Sequence, residues 1–251
     1  MEYFVDKQSV VRRIWGKSDT ILFIFAGASA EFALNKAVDW LYFTGRLPLD
    51  PIGRLFSTVS YARAIVFSEK KAALRAIDSM ASIHANVESK RGVAIPDWAY
   101  RDVLFLLIDY SIRSFETLDR KMTRMEKEEV FQVFISIGNR MELNGLPQTF
   151  DHWNTMRQEH LKENLQHSHF TDDLFQQYYK HLGTVRFRVL LETQKLMVPS
   201  RVRELLGLRR ISLLHPVISL YKMSRSLKLD WILRSLILPA RYKQQIMALD
   251  K

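Results

Sequence analysis

A lone histidine occupies an otherwise apolar helical register. Between Ser68 and Gly92, the residues Ala73, Ile77, Met80, His84 and Val87 recur at spacings of four, three, four and three. That spacing places them on one face of an α-helix. An imidazole on such a face must find a hydrogen bond or bind something, because leaving a buried polar group unsatisfied costs roughly 1–3 kcal/mol. Two roles are open to it: a core histidine satisfied by a neighbour, or a neutral nitrogen ligand to a metal. One helix earlier, Arg54, Thr58, Tyr61 and Ile65 keep the same register. Their guanidinium and hydroxyl, one turn apart, can hold one anion or orient one oxygen. Equally, Arg54 can pair with a carboxylate while Thr58 bonds back to its own helix.

A second histidine group competes. His160, Glu163 and His167 fall at i, i+3 and i+7, with Glu159 and His169 nearby, so a single helix offers several metal ligands. Arg157 and Lys162 are interleaved with them, and the spacing predicts a solvated face. His84 and Glu88, at i and i+4, could begin a metal site, but Glu88 adjoins Ser89, Lys90 and Arg91 and is expected to be wet. The chain has no cysteine, which removes disulfides, thiolate metal sites, iron–sulfur clusters and cysteine nucleophiles. No G-x-S-x-G, G-x-x-x-x-G-K or G-x-G-x-x-G segment occurs. Chemistry must therefore come from histidine, carboxylates, hydroxyls or a bound cofactor.

The elements that position these residues are helical throughout. Of 251 residues 47% are hydrophobic, enough for one sizeable core, and apolar residues repeat every three or four positions. The expected fold is all-α: a single multi-helix bundle over residues 1–208, globin-like in its packing, with an extension over 209–251. Asp50-Pro51 opens a helix to about Phe67, the His84 helix follows, and a very apolar helix from Asp97 to about Leu118 forms the centre. Met125 to Leu143 is amphipathic, with Asn144-Gly145 as its C-cap. A helix started by Thr149 or Asp151 ends near His169, and Thr171 to Leu182 and Val185 to Met197 follow. The apolar run Thr20 to Leu34, capped by Ser18 or Asp19, is interrupted by Glu31 and falls short of the roughly 20 residues a bilayer span needs. Its small residues, Ala26 to Ala30, allow close packing of a neighbour or of a flat ligand.

Charge is concentrated at the C-terminal end. Residues 201–251 carry 11 Lys and Arg against 3 Asp and Glu, and so hold +8 of the formal +10. Arg209, Arg210, Lys222, Arg225, Lys228 and Arg234 are mixed with Leu213, Leu220, Trp231 and Ile232, a composition suited to an anionic membrane surface. The alternative is that the apolar residues finish the bundle and the basic ones form its wet face. No nucleic-acid-reading motif accompanies the charge. Asp6, Lys7, Arg12 and Arg13 interrupt the first residues, so no secretion signal is read there. The expected location is cytoplasmic or peripheral to a membrane.

Several segments, in order, resemble one family. Arg54-Leu55-Phe56-Ser57-Thr58 followed by His84-Ala85-Asn86-Val87 is similar to the R-x-x-x-T and H-x-x-V pattern of the haem-dependent oxygenases. That superfamily includes latex-clearing rubber oxygenases and the endoplasmic-reticulum-bound oxygenase of mycophenolic acid biosynthesis. Leu107 to Glu116, Glu142 to Pro147 and Pro199 to Leu208 resemble further segments of it, and the likeness covers Trp15 to Leu208. The resemblance implies a b-type haem enclosed by helices, with His84 as its iron ligand. Arg54 and Thr58 would lie beside it as catalytic and cofactor-binding residues, and Ile77 and Met80 would wall the macrocycle. Its implied partners are dioxygen and a hydrophobic, isoprenoid or lipid-like small molecule. Ser57 stands where rubber-cleaving members carry a lysine, which implies an open or water-bound sixth iron position. Leu104 stands where many relatives have a second histidine. The other readings are a non-catalytic haem or lipid carrier and a peripheral membrane protein without a cofactor.

Overall fold

A computed structural model of the chain describes residues 2–43 and 49–226. Eleven helices are seen among the described residues: α1 Val10–Trp15, α2 Ser18–Phe32, α3 Asp39–Phe43, α4 Pro51–Phe67, α5 Lys70–Arg91, α6 Asp97–Leu118, α7 Arg124–Arg140, α8 Phe150–Glu163, α9 His169–Met197, α10 Ser200–Leu205 and α11 His215–Ser226. No strand occurs among them; two isolated bridges, Tyr3 with Glu69 and Asn35 with Leu165, tie segment ends together. The fold is an all-α bundle.

Local chemistry sets most helix ends. Asp50 caps α4, its carboxylate accepting from the Gly53 amide at 2.8 Å, with Pro51 in the first turn. Helix α5 stops at Gly92, whose φ of 73° is open to glycine at little cost. Thr123 and Glu126 form a reciprocal capping box on α7. A sharp kink at Gly183 divides α9 between Leu182 and Val185, where the sequence places two helices.

Three boundaries differ from expectation. Lys17, not Ser18 or Asp19, occupies the cap position of α2, and Asp19 instead accepts a hydrogen bond from Tyr221 of α11. Helix α7 ends at Arg140, short of Leu143, because Glu142 takes the left-handed conformation with φ 57°. The Leu143 amide then bonds the Gly138 carbonyl at 3.1 Å and the Glu142 amide bonds Asn139 at 3.1 Å, the paired bonds of a Schellman cap. Helix α8 ends at Glu163 rather than near His169, which instead opens α9.

Helix α6 is the centre, packing on α1, α2, α7, α8, α9 and α11. Its Phe105, Leu106, Ile108, Tyr110 and Phe115 are all buried. The small residues of α2 serve helix packing. A Cβ on Gly27 would lie 2.3 Å from two ring carbons of Tyr110, so only glycine lets α6 approach this closely. Helices α4 and α5 form an antiparallel pair at the side of this centre, α4 resting on α1 and α9 and α5 on α7.

Candidate functional site

The α4–α5 pair carries the residues singled out above. Along the inner stripe of α5, Ala73 and Ile77 are fully buried, Met80 is partly buried against the main core, and His84 and Val87 are half-buried. The stripe thus runs from sealed core to a partly open end, and His84 lies where it opens. Burial pushes the His84 pKa below its ordinary value, and the positive Arg54 of α4 adds to the depression. Both effects favour the neutral ring, the form that ligates metals. Its Nδ1 atom is buried without a well-formed hydrogen bond, while the Met80 carbonyl one turn back acts weakly in the opposite direction.

Arg54 and His84 are therefore brought together electrostatically. Thr58 is turned to its own helix: its hydroxyl donates to the Arg54 carbonyl at 3.2 Å, and the Ser57 hydroxyl donates to the same carbonyl at 2.7 Å. Each hydroxyl keeps lone pairs able to accept one more bond. Leu104 is buried beside Gly138 and belongs to the packed core.

Two neighbours frame His84: Tyr100, which carries no signal in the sequence pattern, and Glu88, which stands at i+4 on the same helix. The Tyr100 ring, from the start of α6, stands edge-on to the imidazole with centroids 5.3 Å apart and planes at 85°. Glu88 is engaged rather than wet. One of its carboxylate oxygens accepts from the Ile95 amide at 2.7 Å and from the Tyr100 hydroxyl at 3.1 Å. Burial, with Glu88 beside it, raises the Tyr100 pKa far above the ordinary phenol value. Nearby, Arg91 pairs with Asp39 at 2.6 Å and lies over the Trp40 ring, tying the end of α5 to α3.

A second polar cluster overturns the expectation for α8. Arg157 and His160, read from the sequence as solvated, are 1% and 3% exposed. The Arg157 guanidinium grips both carboxylate oxygens of Glu31, which is fully buried on α2, at 2.5 and 2.6 Å. It also donates to Asp109 at 3.0 and 3.2 Å, and the Tyr110 hydroxyl donates to Glu31 at 2.9 Å. His160 Nε2 lies 3.3 Å from Glu31, and its Nδ1 lies 2.6 Å from Asp102. Burial alone would raise the Glu31 pKa, but Arg157 and then His160 outweigh it and hold the carboxyl at about 2. His160 is pushed above its ordinary value: burial opposes this, and Asp102 and Glu31 overcome it. The only hint in the sequence is Glu31 itself, a charge inside an apolar helix that needs a partner. This cluster ties α2, α6 and α8 together by charge.

Among the described residues, no three His, Asp or Glu side chains gather as a set able to hold a metal ion. Neither the His160 group nor the His84–Glu88 pair makes an all-protein metal centre. No helix among the described residues is long and apolar enough to cross a membrane.

No curated protein and no solved structure matches the chain closely enough to compare. The family model described as ER-bound oxygenase mpaB/B'/Rubber oxygenase, catalytic domain, matches residues 12–222, a span that holds α2 to α10 and most of α11. With Arg54, Thr58 and His84 all inside that match, the chain belongs to the mpaB/rubber oxygenase catalytic-domain family, a family of oxygenases.

Proposed function

We propose that the protein is a b-type haem-dependent oxygenase acting on a hydrophobic, isoprenoid or lipid-like substrate, with His84 as the iron ligand. The observation that carries this reading is the half-buried His84 imidazole at the open end of the α5 stripe, its Nδ1 without a well-formed hydrogen bond, in a chain that belongs to an oxygenase family. The residues present fit the group. Burial and Arg54 favour the neutral imidazole, its Nδ1 atom is buried without a well-formed hydrogen bond, and among the described residues no set of side chains competes for a metal.

When bound, haem supplies the oxygen and electron chemistry that the side chains lack. Met80, partly buried one turn before His84, would wall the macrocycle and help exclude water, with Ile77 behind it on the same stripe in the sealed core. Arg54 contributes a fixed positive charge close enough to act on the His84 ring, and so favours an anionic group there, whether a propionate or a developing oxygen charge. Thr58, and Ser57 beside it, offer only lone pairs, because their protons are committed to the Arg54 carbonyl. Ser57, its short side chain already donating to the Arg54 carbonyl, would not serve as a second protein ligand to the iron, and dioxygen would be bound by the haem.

The test is an absorption spectrum. Purified protein, as isolated or mixed with haemin, is expected to give a Soret band that His84→Ala abolishes or strongly shifts. Protein that stays colourless and takes up no haemin overturns the reading. Oxygen uptake with a panel of isoprenoids then separates oxygenase from carrier: turnover that falls in Arg54→Ala identifies the enzyme.

The C-terminal surface supports a peripheral contact with an anionic membrane. Ile211, Leu213 and Leu220 are 76%, 77% and 60% exposed, and Arg209, Arg210 and Lys222 are exposed beside them in sequence. The segment is fastened to the bundle from its other side. The Ser212 hydroxyl donates to the Glu192 carbonyl at 2.8 Å, and buried Tyr221 bonds Asp19. Trp231 and the later basic residues lie outside the described residues. Co-sedimentation with phosphatidylserine vesicles at low salt, lost when Arg209, Arg210 and Lys222 are changed to Ala, is the expected outcome. Sedimentation that survives those changes rules this surface out.

A further inference from the structure

We infer that Tyr100, held by Glu88, is a positioning residue that fixes the orientation of the His84 imidazole; the inference rests on the reading of His84 as an iron ligand. On α5 the flanking residues Ile83, Ala85 and Asn86 point outward and are exposed, so the helix itself gives the ring little lateral support. The support comes from α6. The Tyr100 ring meets the imidazole edge-on at 5.3 Å and 85°, and a T-shaped contact holds one ring plane at a set angle to the other.

That contact works only if the tyrosine is itself held. Its hydroxyl donates to Glu88, one turn beyond His84 on the same face of α5, so His84, Tyr100 and Glu88 close a triangle between two helices. The Glu88 oxygen that accepts from Tyr100 also accepts from the Ile95 amide and fastens the turn between Gly92 and Pro96. One carboxylate therefore sets both the path of the chain into α6 and the angle of the ring it delivers. Groups that orient a metal-binding histidine typically change metal affinity by 10- to 100-fold when removed. The same range is expected here.

The experiment compares Tyr100→Leu, Tyr100→Phe, Glu88→Ala and Glu88→Gln with the unaltered chain by haemin titration. In the cofactor-free protein, the His84 ring-proton NMR shifts report the Tyr100 ring current directly. Tyr100→Leu and Glu88→Ala are expected to weaken haemin binding by about 10- to 100-fold and to move the His84 ring signals toward unstructured values. Glu88→Gln keeps an accepting oxygen and is expected to stay within a few-fold of the unaltered chain. Tyr100→Phe keeps the ring without its tether, which broadens the His84 signals while the fold is retained. Haemin uptake by Tyr100→Leu equal to that of the unaltered chain, with His84→Ala inactive in uptake, overturns the positioning role and leaves the ligand reading standing. If the unaltered chain takes up no haemin, the ligand reading falls. His84 ring signals unchanged by Tyr100→Leu and Glu88→Ala then overturn the positioning role as well.

Discussion

Replacing Arg157 with methionine tests the buried charge cluster most directly. Glu31 is fully buried and its carboxyl is held at about 2 against an ordinary value of 4.5. At about 1.4 kcal/mol per pH unit, that depression is worth about 3 kcal/mol to the folded state. Because the folded value is the lower one, the contribution is present above pH 4.5 and is lost as pH falls toward 2. Without Arg157, Glu31 must either stay charged with only Tyr110 and His160 beside it or take up a proton. Taking up the proton at pH 7 costs about 3 kcal/mol relative to an ordinary carboxyl, so the two effects together bound the loss at about 6 kcal/mol, and the roughly 3–5 kcal/mol of other broken buried pairs falls within that bound. Methionine fills much of the volume, so the loss is electrostatic rather than a cavity. The thermal midpoint should fall by roughly 10 °C in a chain of this size.

The sign of the pH dependence is the sharper readout. Urea unfolding at pH 7, 6 and 5 should show the gap between Arg157→Met and the unaltered chain closing by about 1 kcal/mol per unit, since neutralising Glu31 becomes easier as protons become available. Taking the difference between the two proteins cancels titrations remote from the cluster, and repeating the pair in a His160→Gln background removes that of His160, whose pKa Glu31 helps to raise. A loss under about 1 kcal/mol at pH 7, or a gap that stays constant between pH 7 and 5, would refute the reasoning. Glu31 would then not be held charged by Arg157.

Two further outcomes follow from the same geometry. His160 has its pKa raised by Asp102 and Glu31, so its contribution is full below the ordinary value of 6.5 and is lost as pH rises through the folded value; the stability advantage over His160→Gln, measured by urea unfolding, should shrink from pH 6 upward, and an advantage that grows with pH would contradict it. Glu142→Gly relieves a left-handed residue at the Schellman cap of α7 and should stabilise by about 1 kcal/mol in the same assay.

The resolution of the two histidines shows why the candidate site was only partly legible in the chain. Period marks His84, because its stripe is a local feature of one helix, and the ring is half-buried there with a depressed pKa. His160 has a similar local signature, yet it lies inside the core. Its partners Glu31 and Asp102 stand 129 and 58 positions away in the sequence, and no helical spacing can report them. Tyr100 carries no such signal for the same reason: it reaches His84 only because the Glu88-fastened turn brings the first turn of α6 beside the last turns of α5.

What the sequence determined by itself is therefore the local part. Asp50-Pro51, Gly92 and Gly183 mark helix ends or a kink because capping and left-handed backbone are decided within a few residues. The helical period marks which face turns inward, and the absence of cysteine restricts the available chemistry. Only the tertiary structure decided which polar groups inside those faces are satisfied and by whom. It set Tyr110 against Gly27, closed Arg157 on Glu31, and left the α5 stripe to open at His84. The physical reason is that a buried charge or ring is governed by what surrounds it in space. Burial and field strength are sums over all the packed elements, and the order of residues along one helix does not contain them.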